Sequence, residues 1–500
     1  MGGRERIERQ HRAGKLTARE RLERLLDPDT FREYSLLATH ATQRAQMAGK
    51  QAPADGVITG FGRIDGRPVG VVAEDFTVFG GSLGHTGLDK KLRMIELAIR
   101  ERTPLVWLLD GAGARAEELI GEGMPTIAHY LKIAELSGLA PQVGAVMGPS
   151  AGDSSLVGAG LEFIVMVRGT GMMAAGGPPI VQSALGKDIE KEALGGSEIH
   201  CQISGVADNP AEDDEDALRI IKRYLSYLPT NAWAYPPDAE PDDDPARTDE
   251  ALASVLPANL RPPYDMHAII DAVADRETFF ELKPEFATML ITGFARLNGH
   301  PVGIIANQPK VYAGALTAKA AGKARRFIDL CSAYHLPIIS LVDVPGVMTG
   351  PLSEKEGALR AGLAACHSLA WAQVPLFTVV VHKMFGVGGG VMGGYGAGQT
   401  VTLAWPTADF GSLPVESGVL AAYPRELAEA REAGNYAAVK AELEREFEAY
   451  CGPYPAAGKF NIDDVIDPRE TRPRLIDALE LALNRRTEPA GPVWRHGVMP

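Results

Sequence analysis

What this sequence lacks narrows its possibilities first. No apolar run reaches eighteen residues, so it offers no candidate transmembrane helix. Its opening stretch, MGGRERIERQHRAGKLTARERLERLL, is charged throughout and has none of the apolar core of a secretory signal. Arg6 stands where a myristoylation signal needs Ser or Thr, and the expectation is a cytoplasmic protein. An excess of basic residues is missing too: 50 Lys and Arg against 64 Asp and Glu leave a net charge of −14, which argues against nucleic acid as a partner. Cysteine is scarce. Cys201, Cys331, Cys366 and Cys451 are far apart and form no metal spacing, so reduced thiols in packing roles are expected, with no metal. His85, His335, His367 and His382 occur singly, outside any H-E-x-x-H pattern. The phosphate loop G-x-x-x-x-G-K-[ST] is absent, and neither GGSLG (80–84) nor GVGGGVMGG (386–394) is followed by the acidic residue of a dinucleotide fingerprint.

What is present is length, glycine and repetition. Five hundred residues exceed one hydrophobic core and predict at least two domains. Residues 58–110 and 291–343 align without a gap at an offset of 233, from ITGFGRIDGRPVG against ITGFARLNGHPVG to PLVWLLD against PIISLVD. The flanks repeat as well: DPDTFRE (27–33) matches DRETFFE (275–281). APQVGAVMGPSAG (140–152) matches VPLFTVVVHKMFG (374–386), pairing Gly152 with Gly386. Each copy reads as a short alternating strand, a glycine-containing loop, a helix, and then a strand of continuous apolar residues buried on both faces. Strands alternating with helices predict an α/β fold with crossover connections. The proline-rich acidic stretch PTNAWAYPPDAEPDDDPARTDE separates the copies and predicts domains of 1–245 and 246–500.

Each copy offers two strand-to-helix corners: DGAGAR (110–115) with DVPGVM (343–348), and GPSAGDSS (148–155) with MFGVGGG (384–390). The stretch 384–398 packs eight glycines into fifteen positions and contains no acid, base or thiol side chain. A bare backbone at a helix start leaves main-chain N–H groups unpaired, and two that converge make an oxyanion hole needing no ionisable side chain. Tight turns and close helix–sheet packing explain glycines equally well when they are taken alone. Their equivalence in duplicated halves favours two polarised carbonyls meeting at one site.

With these residues in place, the chain resembles the carboxyltransferase (β) subunit of biotin-dependent acyl-CoA carboxylases, of the propionyl-CoA and methylcrotonyl-CoA types. The likeness runs from about residue 5 to 500 and is carried by GKLTARERLERLLDPDTFREY, ALGGSEIH, GFARLNGHPVGIIANQPKV, LVDVPG, LAWPTA and the terminal RHGVMP. The resemblance implies tandem crotonase-like domains, the N-terminal one holding acyl-CoA and the C-terminal one of a neighbouring subunit holding carboxybiotin. It implies a homo-hexamer built as a dimer of trimers. The reaction it implies moves CO2 from biotin N1 to an acyl thioester. Biotin would arrive on a separate biotin carboxylase or biotin carrier subunit, because HKMF (382–385) is not a biotin acceptor motif. Carried over by motif, the thioester hole is expected at Gly152 and Asp153 and the biotin hole at Val387 and Gly388. Gly113, Ala114 and Arg115 would line the acyl-CoA loop, Arg115 organising it unless it forms a plain surface ion pair. Arg19 and Lys90 would lie near CoA phosphates unless they sit on a solvated helix face.

The departures from the family pattern are as informative. Asp153 replaces the usual second glycine, setting a carboxylate near a forming enolate unless it points away or is protonated. Gly111 replaces a serine. Gly389 and Gly390 replace larger side chains, which predicts a substrate bulkier or more polar than propionyl unless the space is filled from elsewhere. PLSEKEG follows the VPGVMTG turn, with Glu354 retained. Two alternatives stay open: a decarboxylase of a malonyl-type thioester on the same scaffold, biotin-dependent or not, and a degenerate subunit that only scaffolds a partner.

Overall fold

The computed structural model describes residues 1–42, 44–121, 128–241, 243–260, 262–393, 399–486, 490–493 and 497–499. Positions 394–398 of the glycine-rich stretch, and Arg495, His496 and Pro500 of the terminal motif, lie outside them. Two compact units form. The first comprises Met1–Pro237, Lys283–Phe286 and the described residues of Pro489–Pro500; the second comprises Asp238–Leu282 and Ala287–Glu488. The division thus falls at Pro237 rather than at residue 245. Asp238 pairs with His300 at 2.9 Å, and the Ala239 N–H donates to the Gly299 carbonyl at 3.0 Å, so the second half of the acidic linker packs on the second unit.

In the first unit one mixed sheet runs in the order Arg32–Tyr34, Val57–Ile64, Arg67–Glu74, Leu105–Leu109, Gln142–Val146, Phe163–Val167, Asn209–Ala211. Its first three strands are antiparallel and the rest are parallel. Leu105–Leu109 is inaccessible along its whole length, as its unbroken apolar pattern requires. The alternating reading of PVGVVAED does not hold: Val69 through Glu74 are all buried, because the helix His85–Glu101 and the N-terminal segment cover both faces there.

The second unit repeats this order with Phe280–Leu282, Leu290–Leu297, His300–Asn307, Ile338–Val344, Leu376–Phe385, Gln399–Ala404 and Asp464–Val465. The offset of 233 is exact in the backbone. The helices are His85–Glu101 and Ala318–Ala333, and single parallel bridges join Leu83 to Ala114 and Leu316 to Val347. The matched flank DxxTF has a physical job in both copies. Asp27 accepts hydrogen bonds from the Asp65 and Gly66 amides (3.1 and 2.8 Å), and Asp275 from those of Asn298 and Gly299 (3.0 and 2.8 Å). Both turns have positive φ at both central residues, the conformation for which Asp-Gly and Asn-Gly are suited. Among the described residues no helix is long and apolar enough to cross a membrane.

The N-terminal motif GKLTARERLERLL closes the first unit with buried charge. Thr17 and Glu20 form a reciprocal capping box that starts the helix Ala18–Leu25. That helix delivers Arg21, fully buried, to Asp110 (2.9 Å) and Asp214 (2.8 Å), while Lys15 reaches the other Asp110 oxygen at 2.7 Å. Burial alone pushes the Asp110 carboxyl up; Arg21 and Lys15 outweigh it and hold the group below the ordinary carboxylate range. Asp110 ends the central strand, so the network ties the N-terminal helices to the loop Gly111–Arg115. Removing one partner from such a network strands the others' charge. Asp110→Asn is therefore expected to destabilise the first unit by about 3–5 kcal/mol in urea titrations followed by tryptophan fluorescence. With its folded pKa depressed, Asp110 contributes stability in full above the unfolded value of about 4 and loses it as pH falls. The variant should lack that part of the acid dependence.

Candidate active site

Both glycine corners form, and they are built alike. In the first unit Gln142–Val146 leads through the short strand Pro149–Ala151, paired with Met172–Ala174, into Gly152 (φ 57°) and the helix Asp153–Ala159. In the second unit Leu376–Phe385 runs on unbroken, its last three residues pairing with Asp409–Gly411, into Gly386 (φ 54°) and the helix Gly386–Val391. A left-handed residue is needed at this corner to turn strand into helix, and both copies place glycine there.

The two expected donor pairs, Gly152 with Asp153 and Val387 with Gly388, are offset by one residue when the corners are matched in sequence. Gly152 is the twin of Gly386, so Asp153 corresponds to Val387 and Ser154 to Gly388. The Gly152 N–H donates to the Ala174 carbonyl at 3.1 Å, which removes it as a free donor. The Asp153 N–H finds no acceptor among the described residues, and neither do those of Val387 and Gly388. Neither corner is sealed within its unit: Gly152 and Gly386 are half-buried and Val387 is exposed.

A second loop presses on each corner. In the first unit the Ala151 N–H donates to the Gly111 carbonyl (3.2 Å), and a Cβ on Gly113 would lie 2.4 Å from the Ala151 oxygen. Ala114 is bridged to Leu83. Arg115 is buried, contrary to the surface-pair alternative. Its guanidinium donates to Asp55 (2.6 Å), the Ser82 carbonyl (2.6 Å) and Glu118, fixing the loop that carries Gly113. In the second unit a Cβ on Gly388 would lie 2.8 Å from the Gly346 Cα, the twin of Gly113. Gly388 is thus required by the approach of that loop, whereas a Cβ on Gly390 would meet only Cys366 Sγ at 3.9 Å. Cavities of about 590 and 660 Å³ flank the second corner, both touching Gly386 and Val387; Gly390 and Cys366 line the larger. Gly389 is buried.

The Asp153 side chain turns under the corner. Lys91 Nζ lies 2.8 Å from one carboxylate oxygen; His129 Nε2 (2.6 Å) and the Tyr130 hydroxyl (2.9 Å) meet the other. Burial pushes this carboxyl up, but Lys91 and His129 prevail and hold it well below the usual range, so it is ionised rather than protonated.

Arg19 and Lys90 come together near Glu33, but neither presents a free cation. Arg19 forms a two-pronged pair with Glu33 (2.9 and 3.3 Å). Lys90 is buried, which pulls its pKa down to about 8, and its amine donates to the carbonyls of Ala54 and Val57. Its twin Lys323 donates to the Leu290 carbonyl, the twin of Val57, at 2.7 Å. The shared task is architectural, and the solvated-face alternative does not apply to Lys90. Sequence reasoning did not single out His200, whose Nε2 donates to the Met173 carbonyl at 2.9 Å, or Gly195, where a Cβ would sit 1.9 Å from that oxygen. Both belong to ALGGSEIH, and through them the motif braces the strand Met172–Ala174 that holds Gly152. Burial pushes all four thiols up, Cys201 to about 12, which leaves them inert.

Known proteins match this architecture along its length. The carboxyl transferase domain model covers residues 9–497. The carboxyltransferase subunit of propionyl-CoA carboxylase from Haloferax mediterranei is 40% identical over 504 residues, covering 100% of this chain and 96% of that protein. Methylmalonyl-CoA decarboxylase subunit alpha from Veillonella parvula is 37% identical, with 100% and 96% covered. The crystal structure of transcarboxylase 12S, a hexamer assembly with methylmalonyl-coenzyme A and methylmalonic acid bound, aligns with a TM-score of 0.91 at 37% identity, covering 100% of this chain and 96% of its own. The duplicated crotonase-like fold and the whole-length match agree: the chain belongs to the carboxyl transferase domain family and is a carboxyltransferase.

Proposed function

We propose that the chain moves a carboxyl group between biotin N1 and the carbon next to the carbonyl of an acyl-CoA, using main-chain amides at two equivalent corners. The observation that carries this reading is a set of three N–H groups with no acceptor among the described residues: Asp153 in the first unit, and its twin Val387 with Gly388 in the second. Taking the carboxyl group on or off leaves negative charge on a thioester oxygen on one side and on a ureido oxygen on the other. Preorganised amide dipoles stabilise both without an acid or base side chain. Gly113, held by the Arg115 cluster, backs the first corner; Gly346 backs the second. Biotin supplies the carboxyl-carrying nitrogen and arrives on a partner polypeptide, a biotin carboxylase or carrier subunit. The smaller apolar cavity beside Val387, which Gly390 does not line, suits the fused rings of biotin. No metal takes part in this scheme. The assembly is a homo-hexamer, as in transcarboxylase 12S, and four unpaired thiols accord with the cytoplasm.

The Asp153 departure does not by itself favour decarboxylation, because its carboxylate is neutralised from below rather than facing the substrate. The likeness to a decarboxylase subunit does keep that direction in view. Incubating the purified chain with methylmalonyl-CoA separates the two: CO2 release without added biotin supports a biotin-independent decarboxylase, and loss of substrate only with biotin supports transfer.

Two substitutions test the corners. Val387→Pro deletes a first-turn amide at an exposed position that tolerates a ring. It is expected to lower kcat by roughly 10²–10³-fold while acyl-CoA binding, measured calorimetrically, stays within twofold. It is a cleaner probe than Gly388→Pro, where the approach of Gly346 adds a clash. We further propose that the space beside Gly390 admits an acyl group larger than propionyl. Gly390→Ala should fold normally and cut kcat/KM for the longest accepted acyl-CoA by about 10-fold or more relative to propionyl-CoA.

A further inference from the structure

Beneath the first corner lies a set of charges that the second corner does without. Lys91 is wholly buried, 2.7 Å from Glu74 Oε1 and 2.8 Å from Asp153 Oδ2. Glu74 Oε2 accepts the Asp110 N–H at 2.9 Å, and Glu74 Oε1 also accepts the Ser154 hydroxyl at 2.6 Å. The twins of Glu74, Lys91, Asp153 and Ser154 are Asn307, Ala324, Val387 and Gly388, none of them ionisable. Asn307 shows what position 74 needs for architecture: its side-chain oxygen accepts the Asp343 N–H at 3.1 Å, the same bond in the other half. An amide therefore suffices there. The negative charge of Glu74 is accounted for by Lys91, and a buried ammonium between two carboxylates is accounted for by Asp153.

We infer that Lys91 is a positioning residue for acyl-thioester chemistry. Its ammonium, anchored by Glu74, draws the Asp153 carboxylate beneath the corner, so that this residue presents its main-chain N–H, and not its charge, to the substrate oxygen. The inference rests on the reading of Asp153 as the thioester donor. Without the lysine, the carboxylate has only His129 and Tyr130 for partners and faces the like charge of Glu74, and its stable placements are those nearer the solvent-open cleft. A carboxylate a few ångströms from a forming enolate, in a partly desolvated cleft, opposes that charge strongly enough to slow the reaction on the order of 10²-fold.

The test uses the full chain with methylmalonyl-CoA and free biotin as acceptor. In that exchange the bond from the α-carbon to the carboxyl breaks, the bond to biotin N1 forms, and the N1 proton passes to the α-carbon. Lys91→Met is expected to lower kcat by 30–100-fold with KM changed less than threefold. The groups facing Asp153 are then Glu74, His129 and Tyr130. Between pH 8 and 5 the Lys91→Met rate should rise relative to wild type, as a proton taken up by the adjacent Glu74 and Asp153 carboxylates replaces the missing ammonium charge. A structural defect alone would not reverse with acid. Combining Lys91→Met with Glu74→Gln and Asp153→Gly should regain at least tenfold. Glu74→Gln alone, which Asn307 shows the fold accepts, should lower kcat by 3–10-fold and serves if Lys91→Met does not fold.

The inference is overturned if Lys91→Met, or Glu74→Gln in its place, retains wild-type kcat, or if the triple variant recovers nothing. Asp153→Pro, which deletes the amide, separates this from the underlying reading. Loss of transfer in Asp153→Pro with a wild-type rate in Lys91→Met rejects only the positioning role. Full transfer in Asp153→Pro rejects the thioester assignment itself.

Discussion

A main-chain N–H at the start of a helix has no partner within that helix, and both glycine corners carry this constraint. To leave such an amide unpaired at a half-buried corner, the chain must turn sharply from strand to helix and bring a second loop close without covering it. Glycine at 152 and 386 makes the turn, and Gly113 and Gly346 make the approach. The large machinery around them, two mixed sheets with crossover helices, serves to hold four short backbone segments still.

The braces differ between the halves although the corners match. In the first unit the neighbouring strand Met172–Ala174 is fixed by His200 and Gly195, and the second loop by the buried Arg115–Asp55–Glu118 cluster. In the second unit the corner strand is a direct continuation of Leu376–Phe385, and Asp343 beneath it is held by Tyr264 at 2.9 Å and the Lys383 amide at 3.1 Å. Burial pushes the Asp343 carboxyl up, and His382 and Lys383 bring it below its ordinary range. Duplication fixed the backbone path; the side chains that stiffen it then diverged, with charge concentrated under the corner assigned to the thioester.

That concentration explains how an aspartate is accommodated at the corner we propose for the thioester oxygen. Lys91 and Asp153 lie 62 positions apart, and losing either leaves a buried charge short of a partner. Together with Glu74 they form a compact cluster in which every ionised oxygen of Asp153 has a donor. The same logic governs Asp110, whose charge is shared between Arg21 and Lys15 and which leads into the loop Gly111–Arg115.

The sequence by itself determined the duplication, the α/β class and the two glycine corners, because a gapless offset of 233 and strand-length apolar runs are local patterns that survive without coordinates. It also marked Asp153 as an oddity. Tertiary structure decided what local pattern could not express. The Gly152 amide is taken by Ala174, 22 residues downstream, and Lys90 is sunk into carbonyls rather than set on a helix face. Asp153 faces inward because Lys91 is there to meet it. Hydrogen-bond acceptors and counter-charges come from segments distant in the chain, so the donor that stays free is a property of the fold and not of the motif that carries it.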